Sequence, residues 1–159
     1  MDENQQKANE LIQQANEFLG EKLWVEAASH YKEAISLYTP YRVYYLVLGE
    51  CYSNSRDYKA AEDTFRRLVA HSPKHDQAWW MLGQAVMMQN KFPEAEQLYE
   101  KAIALGTPDV EPYYYGAQMK HLNDKKEEVS ALLKKALEIR SDWSEYAVND
   151  PLLKEYLDN

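Results

Sequence analysis

The stretch Asp76–Asp109, DQAWWMLGQAVMMQNKFPEAEQLYEKAIALGTPD, decides the fold. It opens with an apolar helical run containing the pair Leu82-Gly83, turns at Asn90-Lys91-Phe92, and closes with a second amphipathic run through Ala95, Tyr99 and Ala102. The same skeleton returns on moving 34 residues either way. The second-run alanine recurs as Ala27, Ala61 and Ala95, then as Val129. The large residue four further on recurs as Tyr31, Phe65, Tyr99 and Leu133, and the next small or apolar slot as Ala34, Leu68, Ala102 and Ala136. In the turn stand Trp24, Tyr58, Phe92 and Lys126. The first run repeats Leu11, Tyr45, Trp79, Tyr113 and then Ala15, Gly49, Gly83, Ala117. Self-similarity at a fixed period of this size is the signature of a repeat architecture.

The slots have a common physical logic. Small residues at Ala15, Gly49, Gly83 and Ala117 let the first helix of each unit approach the second. Ala27, Ala61 and Ala95 do the same from the other side. Aromatic side chains fill the space beside them, where they bury the most surface. Pro40, Pro73 and Pro108 mark helix ends. Such a helix-turn-helix unit cannot bury its apolar face alone and stacks on its neighbours.

Composition agrees with an all-helical fold. The 159 residues are 45% hydrophobic and 28% charged, with only five Gly and six Pro. That is the balance of an ordinary globular chain, long enough for one sizeable core. The net charge of −8 argues against nucleic acid or an anionic membrane, which call for a basic face. A single cysteine, Cys51, allows no internal disulfide and reads as a small buried hydrophobe. No run reaches the roughly 20 apolar residues of a membrane span. The opening MDENQQKANELIQQ lacks a basic segment and an apolar core, so no signal peptide and a cytoplasmic location are expected.

No catalytic constellation stands out. The histidines are His30, His71, His75 and His121, and only His71/His75 have metal-ligand spacing. They straddle Pro73 and are expected in a loop, so no metal site is assigned. The acid pairs Glu62-Asp63 and Glu127-Glu128 are expected on solvated outer faces. No phosphate-binding glycine loop is present. Neither enzyme activity nor a cofactor is expected.

With these residues in view, the chain resembles the tetratricopeptide-repeat family over roughly residues 8–142. The matching residues are Tyr45, Leu48, Gly49, Tyr52, Tyr58, Ala61, Phe65 and Pro73 in the second repeat. In the third they are Trp79, Leu82, Gly83, Phe92, Ala95, Tyr99 and Ala102. The first repeat departs from the family pattern at Gln14. The fourth departs further, with Gly116, Lys120, Lys126 and Val129 in slots that are usually apolar, small or aromatic. The resemblance implies an all-α, right-handed α-solenoid of four helix-turn-helix repeats. These are expected at 8–41, 42–75, 76–109 and 110–141 within one domain, 1–159. Helices are expected near 4–20, 24–38, 42–54, 58–71, 76–89, 92–105, 110–122 and 126–139. Residues 142–159 read as capping helices. Asp142 and Glu145 have capping-box spacing, and Asp150-Pro151 suits a second helix start. Trp143, Tyr146, Leu152, Leu153 and Tyr156 would cover the end of the fourth repeat.

The family geometry also implies where a ligand would lie. First helices line a concave groove, and successive residues on a helix point about 100° apart. If Trp79 packs between helices, Trp80 faces the groove. Helical spacing then gives Asn9, Ile12, Gln13, Asn16, Leu19 and Gly20 from the first repeat, and Val43, Leu46, Val47, Glu50, Ser53 and Asn54 from the second. The third supplies Gln77, Trp80, Met81, Gln84, Met87 and Met88, and the fourth Glu111, Tyr114, Tyr115, Gln118, His121 and Leu122. Of these 24 positions only Glu50 and Glu111 are charged, where the chain-wide 28% would give about seven. The expected peptide contacts are Ile12, Asn16, Leu46, Val47, Glu50, Asn54, Trp80, Met81, Gln84, Met87, Met88, Tyr114, Tyr115 and Gln118.

Relatives that bind acidic chaperone tails use a clamp of Lys, Asn and Arg. Here Asn16 matches the clamp asparagine, but Ile12, Val47, Gln77 and Met81 fill the other slots. Without cations a terminal carboxylate is not neutralised, and no acidic chaperone-tail partner is expected. The reading is a non-enzymatic scaffold or adaptor that binds a peptide with hydrophobic anchors. Two alternatives stand beside it. One is a small acidic chaperone that shields a hydrophobic client segment. The other is a homo-oligomer formed through tyrosines such as Tyr38, Tyr41, Tyr44 and Tyr45. The groove itself is either open or filled by the chain.

Overall fold

The computed structural model describes residues 2–38 and 43–157. Pro40 and Tyr41 lie outside this range. The described residues carry nine α-helices and no strand. None of the helices is long and apolar enough to cross a membrane. They fall in two compact units, 1–73 and 74–159.

In the first unit, α1 (Glu3–Gly20) packs on α2 (Trp24–Leu37), and α3 (Tyr45–Asn54) packs on α2 and on α4 (Tyr58–His71). In the second unit, α5 (Asp76–Met87) packs on α6 (Phe92–Ala104). There α6 and α8 (Val129–Ile139) both pack on α7 (Glu111–Leu122). A single 3₁₀ turn, Lys126–Glu128, leads into α8, and another, Ser141–Trp143, leads into α9 (Ser144–Asn149). The helix boundaries expected from periodicity are met to within three residues at every described end. Asp57 caps α4 and His75 caps α5, each accepting a backbone N–H.

Small-against-large packing is the organising contact. A β-carbon on Gly49 would stand 2.4 Å from Cε1 of Phe65, which is fully buried. The same slots one period later bring a Gly83 β-carbon to 3.1 Å from Cε1 of Tyr99. Gly116, where the pattern has leucine, differs. There a β-carbon would make ordinary contact with Leu132 Cδ1 at 3.6 Å.

The turns inside the repeats are equally periodic. Lys22, Arg56, Asn90 and Asp124 all have φ near +60°, and each follows the last by 34 residues. Each left-handed residue lets the next N–H reach back five residues: Leu23 to Phe18, Asp57 to Tyr52, Lys91 to Val86 and Lys125 to Lys120. This is the six-to-one bond of the Schellman helix ending.

Two acidic side chains read as solvated are buried or paired. Glu62 is 3% exposed and accepts from Arg66 Nη2 at 2.9 Å. The solvated reading of Glu62 is therefore corrected: an arginine one turn on compensates its burial. Glu128 meets the ammonium of Lys120 at 2.7 Å. Lys120 itself, in a slot usually apolar, is 4% exposed. Its Nζ also meets Glu96 at 2.9 Å and Glu100 at 2.5 Å, and Lys125 and Asn123 both donate to Glu96. Burial pushes the Glu96 carboxyl up, but hydrogen bonds from Lys125, Lys120 and Asn123 outweigh it and hold the pKa at about 2.

The cap differs from expectation in three places. Asp142 pairs with Arg140 at 2.6 Å rather than closing a capping box. After Asp150-Pro151 comes a turn and a 3₁₀ turn, Lys154–Tyr156, not an α-helix. Leu153 is fully buried and Trp143, Leu152 and Tyr156 pack on the same cluster, but Tyr146 is 64% exposed.

Three glycine-to-alanine variants should therefore diverge in melting experiments. Gly49→Ala is expected to destabilise by about 2 kcal/mol through overpacking. Gly83→Ala is expected within about 1 kcal/mol of the parent, and Gly116→Ala to stabilise by ~0.5–1 kcal/mol. A common sign for all three would contradict the packing described. A depressed carboxyl pKa stabilises above the unfolded value, and that stability is lost as pH falls through the folded value. Acid titration between pH 4.5 and about 2 should thus remove on the order of 3 kcal/mol from the parent. Glu96→Gln should flatten that part of the stability profile.

Candidate functional site

The expected groove residues divide by what the chain does with them. In the first unit, Ile12 is buried in the core and is not a surface contact. Asn16 is exposed, and its Oδ1 accepts the Tyr31 hydroxyl at 2.6 Å. Burial, the largest influence, raises the Tyr31 phenol to about 12, so it stays a donor. On α3, Leu46, Val47 and Glu50 are half-buried and Asn54 is exposed. Val47 packs against the first core. Burial raises the pKa of the Glu50 carboxyl, the one formal charge among these contacts.

The tyrosines offered for self-assembly also lie in this unit. Tyr38, Tyr44 and Tyr45 are half-buried against its core, and Tyr44 stacks on Tyr31 at 5.7 Å. Cys51 is fully buried, as its reading as a small hydrophobe requires. Burial lifts its thiol to about 11, so almost no thiolate is present near neutral pH.

In the second unit the stripe on α5 is partly exposed. Trp80 is half-buried, and its indole Nε1 donates to Asp109 Oδ2 at 2.8 Å. Gln84 is half-buried, and its amide makes no hydrogen bond among the described residues. Met87 is half-buried, its sulfur accepting the Tyr99 hydroxyl at 3.7 Å. Met88 is 47% exposed. Met81, by contrast, is a core residue. Trp79 is half-buried, with the Lys101 ammonium 5.8 Å from its ring centroid.

On α7 the corresponding stripe is already engaged. Tyr114 is buried and donates to Asp150 Oδ2 at 2.9 Å, and Gln118 Nε2 donates to the same oxygen at 2.6 Å. Trp143 meets Tyr114 edge-on at 5.0 Å, and Tyr115 lies between Trp143 and Tyr99. His121 Nδ1 lies 3.0 Å from the Tyr156 hydroxyl. The two stripes obey one rule: Trp80 and Asp109, moved 34 residues, become Tyr114 and Trp143. Asp109 and Asp150 were not among the residues singled out from the sequence. Asp150 carried a signal only as a helix start, and Asp109 carried none.

His71 bonds the Arg67 carbonyl, and no group of three metal-ligating side chains occurs among the described residues.

Paired antiparallel helices with a small-to-large code define a helical repeat protein. Residues 46–110 match the family model of the tetratricopeptide repeat, and the chain is a tetratricopeptide-repeat protein, an all-α solenoid. Sixty residues are 42% identical to the chloroplastic PsbB mRNA maturation factor Mbb1 of Chlamydomonas reinhardtii. The match covers 38% of this chain but only 9% of that protein. Among solved structures, MamA from Desulfovibrio magneticus RS-1 is similar with a TM-score of 0.78 at 16% identity, over 88% of this chain and 78% of that one. The first tetratricopeptide domain of Spaghetti (RPAP3), bound to the HSP90 peptide SRMEEVD, is similar with a TM-score of 0.68 at 20% identity. That match covers 76% of this chain and 95% of the domain. At these identities the structural likeness speaks for the fold alone.

The burial of Cys51 makes a direct prediction. At pH 8 its reaction with a thiol reagent should run at least ~100-fold slower than that of a free cysteine. Denaturant should restore the ordinary rate. A fast reaction in the native protein would show that the first core opens readily.

Proposed function

We propose that the protein is a non-enzymatic scaffold that binds a partner peptide through apolar anchors seated on the inner stripe of α5. The observation that carries this reading is the state of that stripe. It has no charge, a partly exposed methionine, and a Gln84 amide with no partner among the described residues. Amide groups bond a peptide backbone, while Trp80, Met87 and Met88 offer adaptable apolar surface. The RPAP3 domain of the same fold holds an HSP90 peptide rich in carboxylates. Here the slots that would neutralise such a tail carry Ile12, Val47, Gln77 and Met81, and Asn16 is tied to Tyr31. An apolar partner segment fits these residues better than an acidic chaperone tail.

The test is photocrosslinking from position 84, followed by affinity measurement on the partner so trapped. Trp80→Ala and Met88→Glu are each expected to weaken that partner at least tenfold while the melting temperature changes little. Unchanged affinity in both variants would sink the proposal.

A further inference from the structure

The C-terminal segment meets α7 through polar ties as well as through the core. Asp150 accepts from both Tyr114 and Gln118 through one carboxylate oxygen, while its other oxygen accepts the Leu152 N–H at 2.8 Å. Tyr156 closes the far end at His121, where Glu155 stands 3.8 Å from the same ring nitrogen. Between these two polar ties Leu153 is the one fully buried side chain. The segment is built of turns rather than an α-helix, with Lys154 and Glu155 exposed. Leu152 and Tyr156 pack against the cluster around Leu153, and a short terminal element built of turns belongs to the less stable part of a fold. On α5, one period earlier, Gln84 occupies the slot of Gln118 and is bonded to no such segment among the described residues.

We infer that Asp150–Tyr156 is a built-in ligand of the inner face of α7, displaceable by a partner segment of the same chemistry. That chemistry is a carboxylate followed within three residues by a leucine, with an aromatic hydroxyl three further on. The carboxylate takes the Tyr114 hydroxyl and the Gln118 amide, the leucine takes the buried site of Leu153, and the hydroxyl meets His121. The chain's own copy holds this part of the face closed until a competitor arrives. This rests on the peptide-binding reading above, but it concerns α7 and not α5.

The probe is a fluorescein-labelled synthetic peptide of residues 149–157, NDPLLKEYL, offered to the full chain. In the parent the tethered copy should exclude it. In Asp150→Ala/Leu153→Ala the site is vacated, and the peptide is expected to bind at least tenfold more tightly than to the parent. Adding Gln118→Ala to that variant, or replacing the peptide's aspartate by alanine, should remove most of the gain. Circular dichroism of the double variant is read alongside. Loss of the helical signal would mean the segment is an integral cap, and would overturn the inference. So would a folded double variant that binds the peptide no better than the parent. Neither result touches the α5 proposal, whose variants are read against a separate partner.

Discussion

The ring of Phe65 stands where a β-carbon of Gly49 would otherwise be, 2.4 Å from that point. This exclusion is the constraint on which the second repeat depends. A first helix can lie close to its second only where it presents a small residue, and in the first three repeats the second helix fills the gap with an aromatic ring. Gly83 and Tyr99 repeat the arrangement with more room, 3.1 Å. The contact brings a large ring fully out of water, a leading favourable term in folding. It also fixes how the chain must reverse. The left-handed residue of each turn, from Lys22 to Asp124, recurs at the same period because the helix pairs it joins meet at the same small residue.

The second unit shows what happens when the code is broken. Lys120 brings a cation into a slot that is elsewhere apolar, and a buried charge is tolerable only when compensated. Glu96, Glu100 and Glu128 converge on it from α6 and from the turn before α8, and Lys125 and Asn123 satisfy the rest of Glu96. The network replaces non-directional packing with directional contacts, so it fixes how α7 docks on α6. Glu62 and Arg66 make a smaller version on α4.

The inner stripe of the second unit stands in two states. On α5 Gln84 is half-buried and Met88 exposed. On α7 Tyr114 and Gln118, in the slots of Trp80 and Gln84, are bonded to Asp150. Self-burial accounts for Tyr114 and Gln118 on α7, while on α5 Met88 stays exposed. A tethered segment competes at an effective concentration of roughly millimolar. Only a partner that also gains contacts elsewhere, such as on α5, would displace it readily.

Sequence by itself determined the repeat, its period, the helix boundaries and the small-to-large slots. Those features are written in hydrophobic periodicity, and periodicity reports which face of a helix leaves water. It also marked Trp80, Met81, Gln84, Met87 and Met88 as residues that packing did not require, and of these Met81 is a core residue. It could not show that Tyr114 and Gln118 are taken by Asp150, that Trp80 is tied to Asp109, or that Glu62 is buried. Nor could it show that Asp142 serves Arg140 instead of a helix cap. Each of those depends on which polar group arrives from another segment. A carboxylate looks the same in sequence whether it meets water, an arginine one turn away or a tyrosine 36 residues distant. Only the tertiary structure brings the partner within bonding distance.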